Sequence, residues 1–331
     1  MKQSRSKFFD QNQWLHFDTL VINRFRSRLR SRIVFNNLFI GFLAHVLCGI
    51  NLNAQEIKQL TKSPAKEGFP TWSPDGNSIL FQKVIQGDTT GSNGLWMIFQ
   101  DGKAEKQIFE GIAEHPKWSF SRNQIAFDAE HGQSIKIIPV EGGAPQEILP
   151  DTIHIDKGGL PCWAPDGTQI AFKDSEASLC VYSFVTMKAY RIFYRKGMVP
   201  LPGCWSSDGE NILFALMNQK TKKSTMWKIS SDGKIITQIR GHHKDFYRHL
   251  TLSPDGSLIL YTALEGEYFS LFVMSSKGGK SIPIEISPLG HSEAPQLSPD
   301  GKRLAFSHTI AGNTDLWIIE INIEQLKENL K

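Results

Sequence analysis

Residues 69–76 read Phe69-Pro70-Thr71-Trp72-Ser73-Pro74-Asp75-Gly76, and related versions of this pattern recur five more times along the chain. The Trp or Leu at its centre falls at Trp72, Trp118, Trp163, Trp205, Leu252 and Leu297. The steps between these positions are 46, 45, 42, 47 and 45 residues. A period in this range is typical of propellers, solenoids and other repeat arrays. The repeat therefore dominates the fold prediction.

Each repeat predicts four short antiparallel strands. The Ser-Pro-Asp-Gly segment is a hairpin turn, because Pro presets φ, Asp bonds its own backbone and Gly accepts a positive φ. An aliphatic run that ends in an aromatic residue follows, such as Ser78-Ile79-Leu80-Phe81, and this is typical of a buried strand. A third apolar strand, a second turn and a fourth, more polar strand complete the unit. Four strands in about 45 residues make one propeller blade, so we predict an all-β, six-bladed propeller over residues 55–320.

Three segments extend or modify this pattern. The second repeat has Phe120-Ser121-Arg122-Asn123 where the others have the turn, and we expect Asn123 to adopt a left-handed conformation there. The segment 56–61 looks like a fourth strand without a preceding blade, and we predict that it completes the sixth blade and closes the ring. Residues 321–331 read as a polar C-terminal tail, the one place where a short helical pattern is visible.

The motif Pro-x-Trp-Ser-Pro-Asp-Gly followed by Ile-x-Phe resembles the PD40/WD40-like repeats of TolB-type six-bladed propellers. The resemblance extends over roughly residues 56–319. It implies a propeller that binds other proteins in the periplasm. TolB itself carries an α/β domain before its propeller, whereas only a few residues here separate an apolar leader from the first strand.

The first 54 residues differ in composition from the rest. Residues 1–32 hold eight Lys or Arg, residues 33–54 hold no charged side chain, and an apolar run covers residues 38–44. A basic segment, an apolar segment and then a small residue at the cleavage position predict a signal peptide cleaved after Ala54. The mature chain would then be periplasmic or secreted without a stable membrane span. A membrane anchor formed by the uncleaved leader, a lipid attached at Cys48 and a later start codon stay open as alternatives.

Removal of this leader would change the sign of the net charge. The leader holds eight basic and two acidic residues, which leaves 29 basic and 31 acidic residues in the mature chain. A mature chain with a net charge near −2 lacks the clustered positive charge that nucleic-acid binding requires. We therefore predict that nucleic acid is not a partner.

Motifs for catalysis or cofactor binding are missing from the sequence. Gly290-His291-Ser292-Glu293-Ala294 lacks the final Gly of a nucleophile elbow, and neither a His-Glu-x-x-His motif nor a glycine-rich phosphate loop occurs. Cys162, Cys180 and Cys204 show no metal-ligand spacing and are interpreted as small buried residues, with a Cys162–Cys204 disulfide left open. We predict no catalytic residues, no metal and no cofactor.

The loops that lead into the first strand of each repeat should surround one mouth of the central channel. Recognition usually resides in loops on a rigid scaffold. The charged and aromatic candidates in these loops are Glu67, Glu114, His115, His243, Tyr247, Arg248, His249, His291 and Glu293. Tyr247 and Arg248 are the expected anchors, because aromatic residues and Arg are enriched at binding hot spots.

Two functions remain compatible with the sequence. The favoured prediction is a monomeric protein-interaction propeller that binds an envelope protein or peptide at the channel mouth. The alternative is a propeller-type lyase or hydrolase that acts on a carbohydrate or peptide, because an active site can be assembled from single residues on different blades.

Overall fold

A computed structural model describes residues 57–148, 157–239 and 246–331, which form six four-stranded antiparallel sheets and one short helix. The six sheets are the blades of a propeller. The prediction of six blades with four strands each is confirmed. His243 and the predicted cleavage site at Ala54 lie outside the described residues.

The strands follow the chain in blade order. The described part of the chain begins with β1 (Ile57–Gln59) and continues into blade 1 with β2 (Lys66–Trp72), β3 (Ser78–Val84), β4 (Gly94–Phe99) and β5 (Lys106–Glu110). Blade 2 contains β6 (Ala113–Trp118), β7 (Gln124–Ala129), β8 (Ser134–Pro139) and β9 (Gln146–Glu147). Blade 3 contains β10 (Gly158–Trp163), β11 (Gln169–Asp174), β12 (Leu179–Ser183) and β13 (Lys188–Phe193).

The second half repeats this arrangement. Blade 4 contains β14 (Met198–Trp205), β15 (Asn211–Asn218), β16 (Ser224–Ser230) and β17 (Ile236–Ile239). Blade 5 contains β18 (Arg248–Leu252), β19 (Leu258–Glu265), β20 (Tyr268–Ser275) and β21 (Ser281–Pro283). Blade 6 contains β22 (His291–Leu297), β23 (Arg303–Ile310) and β24 (Asn313–Glu320), and helix α1 (Ile323–Asn329) follows.

The ring closes through the first strand of the described chain. β1 pairs antiparallel with β24, with Ile57 opposite Ile319 and Gln59 opposite Trp317. The first strand of every blade also contacts the first strands of both neighbouring blades, including β22 with β2. These six strands therefore surround the central channel, and we call them the inner strands. The predicted closure of blade 6 by the N-terminal strand is confirmed.

The repeated Trp residues join neighbouring blades. The indole N–H of Trp72 donates to the carbonyl of Gln296 at 2.9 Å, and that of Trp205 donates to the carbonyl of Cys162 at 3.0 Å. Trp163 donates to Lys117 in the same way at 3.1 Å. In each case the acceptor precedes the equivalent Trp or Leu of the previous blade. The fixed position of the Trp is thus explained by a bond between blades and by burial.

The turn residues act as the sequence predicts. Asp75 accepts a hydrogen bond from the backbone N–H of Asn77 at 3.0 Å and another from the Ser73 hydroxyl. Gly76 has a φ of +70°, which a glycine adopts without steric cost. These hydrogen bonds lower the pKa of Asp75, the Ser73 bond being the largest contribution. The recurring Asp residues therefore cap turns.

The turn of the second repeat differs from the expectation, and the C-terminal segment forms a short helix. Asn123 does not adopt a positive φ. The turn is held instead by the N–H of Arg122, which donates to the Ser119 hydroxyl at 3.2 Å. At the C-terminus, the side chain of Asn322 caps helix α1, and Leu326 is buried against blades 5 and 6. Within the described residues, helix α1 is far too short to cross a bilayer, and no membrane-spanning helix is found there.

Candidate functional site

A bulge near the same position in each of the six inner strands shapes the channel mouth. We define the channel mouth as the starts of these strands and the loops that lead into them. In five of these strands the register shift begins three residues before the repeated Trp or Leu, for example between Glu114 and Lys117 in β6, and in β14 it lies between Pro202 and Cys204. Five of the six residues that stand three positions before the repeated Trp or Leu have a positive φ of 48–58°, an uncommon conformation for residues other than Gly, and the sixth, Pro202, stays paired with Phe214. We call these six residues the bulge ring: Phe69, His115, Leu160, Pro202, His249 and Ala294.

Phe69 reaches across the channel from blade 1. Its ring lies edge-on to His115 of blade 2, with centroids 4.4 Å apart, and edge-on to His249 of blade 5, with centroids 5.5 Å apart. Blades 1 and 5 are not neighbours in the ring. The phenyl ring therefore extends from blade 1 toward the channel axis, where it contacts blades 2 and 5.

Four side chains of blade 2 form what we call the acid–histidine cluster: Glu114, His115, Asp128 and His131. The Nδ1 atom of His115 lies 3.0 and 3.1 Å from the two carboxylate oxygens of Asp128. Nδ1 of His131 lies 3.5 Å from Oε1 of Glu114. Burial alone would lower the pKa of His115, but the charge and hydrogen bonds of Asp128 outweigh it and raise the pKa.

His249 has the opposite electrostatic environment. Its pKa is lowered well below the usual value, mainly by burial and further by the positive charges of Arg248, His115 and Lys117. The ring of His249 is therefore neutral, and its Nδ1 lies 3.3 Å from the Thr262 hydroxyl. Two histidines of the bulge ring that both touch Phe69 thus favour different protonation states.

A salt bridge between neighbouring blades forms one side of the mouth. Arg248 of blade 5 pairs with Glu293 of blade 6, and about a fifth of each side chain is exposed. The guanidinium group lies 4.3 Å from the centroid of the Phe269 ring and 5.4 Å from that of Phe246. Arg248 therefore presents a cation supported by aromatic faces, next to a carboxylate.

Two further histidines of blade 6 have structural contacts. Nδ1 of His291 accepts a hydrogen bond from the backbone N–H of Phe269 at 3.2 Å. His308 is buried, and its Nδ1 accepts a bond from the Ser292 hydroxyl at 2.8 Å while Nε2 donates to the carbonyl of Pro288 at 3.0 Å. Because both nitrogens are engaged and Ser292 is buried, this Ser–His pair stabilises the strand and offers no accessible nucleophile.

Two of the predicted site residues lie buried in the core. Tyr247 is only 3% exposed and packs against Tyr261 in the core of blades 4 and 5, with ring centroids 5.2 Å apart. Glu67 is fully buried, where it pairs with Lys83 at 3.1 Å and accepts a hydrogen bond from the Ser63 hydroxyl at 2.7 Å. Burial removes both side chains from any partner that approaches from solvent.

Five of the other predicted residues lie at the mouth: Glu114, His115, Arg248, His249 and Glu293. Glu114 and His115 lie in the acid–histidine cluster, and Arg248 and Glu293 form the salt bridge. His249 lies between them against Phe69. Sequence reasoning missed Phe69 and Asp128. The repeat alignment contained the signal for Phe69, because Phe69, His115 and His249 all stand three residues before the repeated Trp or Leu.

Deeper in the channel, Lys117 lies near two thiols. Burial lowers the pKa of Lys117, and the nearby Cys162 and Cys204 partly counteract this shift. Both cysteines are free thiols, so the disulfide that the sequence left open is not formed. Burial raises the pKa of each thiol to about 12, which makes both unreactive at neutral pH.

Comparisons with known proteins agree on the fold. No family model matches the chain. An uncharacterized protein, Atu1656 of Agrobacterium fabrum, is 22% identical over 288 residues, which cover 77% of this chain and 89% of that protein. A structure assigned as TolB from Agrobacterium tumefaciens is similar with a TM-score of 0.59 at 17% identity, covering 81% of this chain and 98% of that one.

Two further solved structures extend the range of similar proteins. TolB from Acinetobacter baumannii has a TM-score of 0.55 at 15% identity, covering 78% of this chain and 64% of that one. An oligogalacturonate lyase from Vibrio parahaemolyticus has a TM-score of 0.56 at 12% identity, covering 82% of this chain and 95% of the lyase. The chain therefore has a TolB-like six-bladed propeller fold, which both binding proteins and enzymes use.

Proposed function

We propose that the protein is an interaction propeller of the cell envelope that binds a protein or peptide at its channel mouth. The observation that supports this most strongly is the combination of Arg248, paired with Glu293 and stacked on Phe269, with the Phe69 ring at the channel axis. Arg and aromatic residues are the side chains most enriched at binding hot spots.

The shape of the mouth favours a polypeptide ligand. Because the Phe69 ring lies between blades 2 and 5, a ligand at the mouth meets an aromatic surface near the channel axis. Both signs of charge and several aromatic rings lie close together there, which suits a polypeptide segment with mixed side chains. The inner strands hold these groups on a rigid scaffold, so little conformational entropy is lost on binding.

The proposed location is the periplasm or the extracellular space. It is supported by the basic and apolar leader of residues 1–54 and by the similarity of the fold to TolB structures. Binding at the mouth therefore involves another envelope protein.

An affinity pull-down from the native cells tests the proposal. The full chain with a C-terminal tag is captured from a detergent extract, and co-purifying proteins are compared with those captured by Arg248→Ala and Phe69→Ala variants. Lys302→Ala is the matched control, because Lys302 is exposed in a turn at the opposite end of the inner strands. We expect a partner that Lys302→Ala retains and the mouth variants lose. Equal recovery by all variants would contradict a site at the mouth.

A second candidate function is a lyase or hydrolase that acts on a carbohydrate or peptide. The His115–Asp128 pair favours it, because a histidine oriented by a carboxylate is a common general acid or base. The fold similarity to an oligogalacturonate lyase is compatible with this alternative. Turnover of oligosaccharides or peptides that is lost in His115→Gln and retained in Arg248→Ala would favour the enzyme over the interaction module.

A further inference from the structure

We propose that the acid–histidine cluster of blade 2 binds a first-row divalent transition metal ion, with Glu114, His115 and Asp128 as ligands and His131 as the fourth donor. This inference is independent of the proposed function. It rests on the close placement of the His115 imidazole with the Glu114 and Asp128 carboxylates at the channel mouth, and on the contact of His131 with Glu114.

The distances match those between ligands of one ion. Metal bonds to imidazole nitrogen and carboxylate oxygen are roughly 2.1 Å long, so two adjacent ligands lie roughly 3.0–3.4 Å apart. The His115 and Asp128 atoms are 3.0 Å apart, and the His131 and Glu114 atoms are 3.5 Å apart. The ligand atoms of Glu114, His115 and Asp128 all lie within 4.8 Å of one another. In an octahedral shell the opposite ligands span roughly 4.2 Å, so small side-chain movements suffice to bring these donors around one ion.

The fold places these donors without any local sequence motif. Glu114 of β6 lies directly opposite Asp128 of β7 in the strand register, so the two carboxylates belong to adjacent backbones. The bulge sets His115 at a φ of +48°, and the following hairpin sets His131 at +59°. On the neighbouring blade Gly159 lacks a side chain, and a Cβ there would lie 2.9 Å from Asp128 Oδ2. That glycine leaves Asp128 the space to turn toward the histidines.

The accessibility of the donors suits an exchangeable ion. Asp128 is almost fully buried, whereas about a quarter of the His115 side chain and a fifth of the Glu114 side chain are exposed to the mouth. One side of the cluster is therefore fixed and the other is open to solvent. Mixed nitrogen and oxygen donors favour ions such as Zn²⁺ or Mn²⁺ over Ca²⁺, which prefers a shell of six to eight oxygens.

Metal binding to the purified full chain tests this inference. The protein carries a tag without histidines, and isothermal titration calorimetry is performed with ZnCl₂, MnCl₂ and CaCl₂. We expect one equivalent of Zn²⁺ or Mn²⁺ to bind and to raise the melting temperature. Asp128→Asn and His115→Gln should each weaken binding by more than about tenfold, because even the loss of an outer-shell partner costs about 10- to 100-fold.

The controls separate this site from other histidines and from misfolding. His291→Gln alters a mouth histidine on blade 6 and should bind the metal as the wild type does. Glu114→Gln changes a partly exposed side chain, so it still tests the site if Asp128→Asn fails to fold. Absence of stoichiometric binding, equal binding by the cluster variants, or preference for Ca²⁺ would each overturn the assignment.

Discussion

The substitution Trp72→Phe tests how the ring is held together at its closure. Trp72 is 1% exposed, and its indole N–H donates to the carbonyl of Gln296 in blade 6 at 2.9 Å. Phe keeps a buried aromatic ring but removes the donor and part of the apolar surface. A lost hydrogen bond costs about 0.5–1.5 kcal/mol net, and more when the acceptor stays buried and unpaired. We therefore expect Trp72→Phe to lower the free energy of unfolding by about 2 kcal/mol, less than the roughly 3–5 kcal/mol expected for Trp72→Ala.

Trp227→Phe provides the matched control. The Trp227 indole donates within its own strand to the Thr225 hydroxyl at 2.8 Å and is only partly buried. Its loss should cost less than about 1 kcal/mol, because water can reach the freed hydroxyl. Urea unfolding followed by far-UV circular dichroism measures both variants. Equal destabilisation, or a loss below about 0.5 kcal/mol for Trp72→Phe, would refute the idea that indole bonds between blades stabilise the ring.

Three further predictions concern packing, pH and thiol reactivity. Gly203→Ala should lower the free energy of unfolding by about 1–3 kcal/mol, because the new Cβ would lie 2.6 Å from a backbone oxygen of blade 5. Gly68→Ala, whose Cβ would have its nearest contact at 3.3 Å, should lower it less in the same urea assay. Burial lowers the pKa of His308, so the unfolded chain binds more protons than the folded chain below pH 6.5. The free energy of unfolding should therefore rise with pH up to about 6.5, by at most about 1.4 kcal/mol per pH unit. His308→Gln should remove this part of the pH dependence, and an unchanged pH dependence would contradict the prediction. Cys162 and Cys204 should react with a thiol reagent at pH 8 at least roughly a hundredfold more slowly in the native protein than in urea, because their thiolate fraction is so small at a pKa of about 12.

The repeat pattern was sufficient to predict the fold because five of the six copies carry the Asp-Gly turn and all six carry the Trp or Leu at the same position. The closure by β1 followed from counting strands, since blade 6 had only three of its own. Asn123 was misjudged because a sequence comparison shows which turn residues are missing but not what replaces them. There, the Ser119 hydroxyl accepts the N–H of Arg122 instead.

The candidate site was only partly predictable. Alternation along the segment that enters blade 5 determines which side chains are buried, and Tyr247 falls on the core side while Arg248 faces the mouth. Asp128 lies thirteen residues after His115, and their proximity depends on the β6–β7 register together with the bulge. The bulge inserts extra residues into β6 but not into β7. Counting residues back from the β6–β7 turn therefore pairs the wrong residues across the two strands.

Site-specific photocrosslinking in the native cells tests the central claim, binding at the channel mouth, most directly. A photoreactive phenylalanine analogue replaces Leu160 or Glu293 at the mouth, and in separate variants Thr168 or Lys302 in turns at the opposite end of the inner strands. The account predicts a discrete crosslinked protein or peptide from the mouth positions and none from the turn positions. Crosslinks that arise only from the turn positions would contradict it.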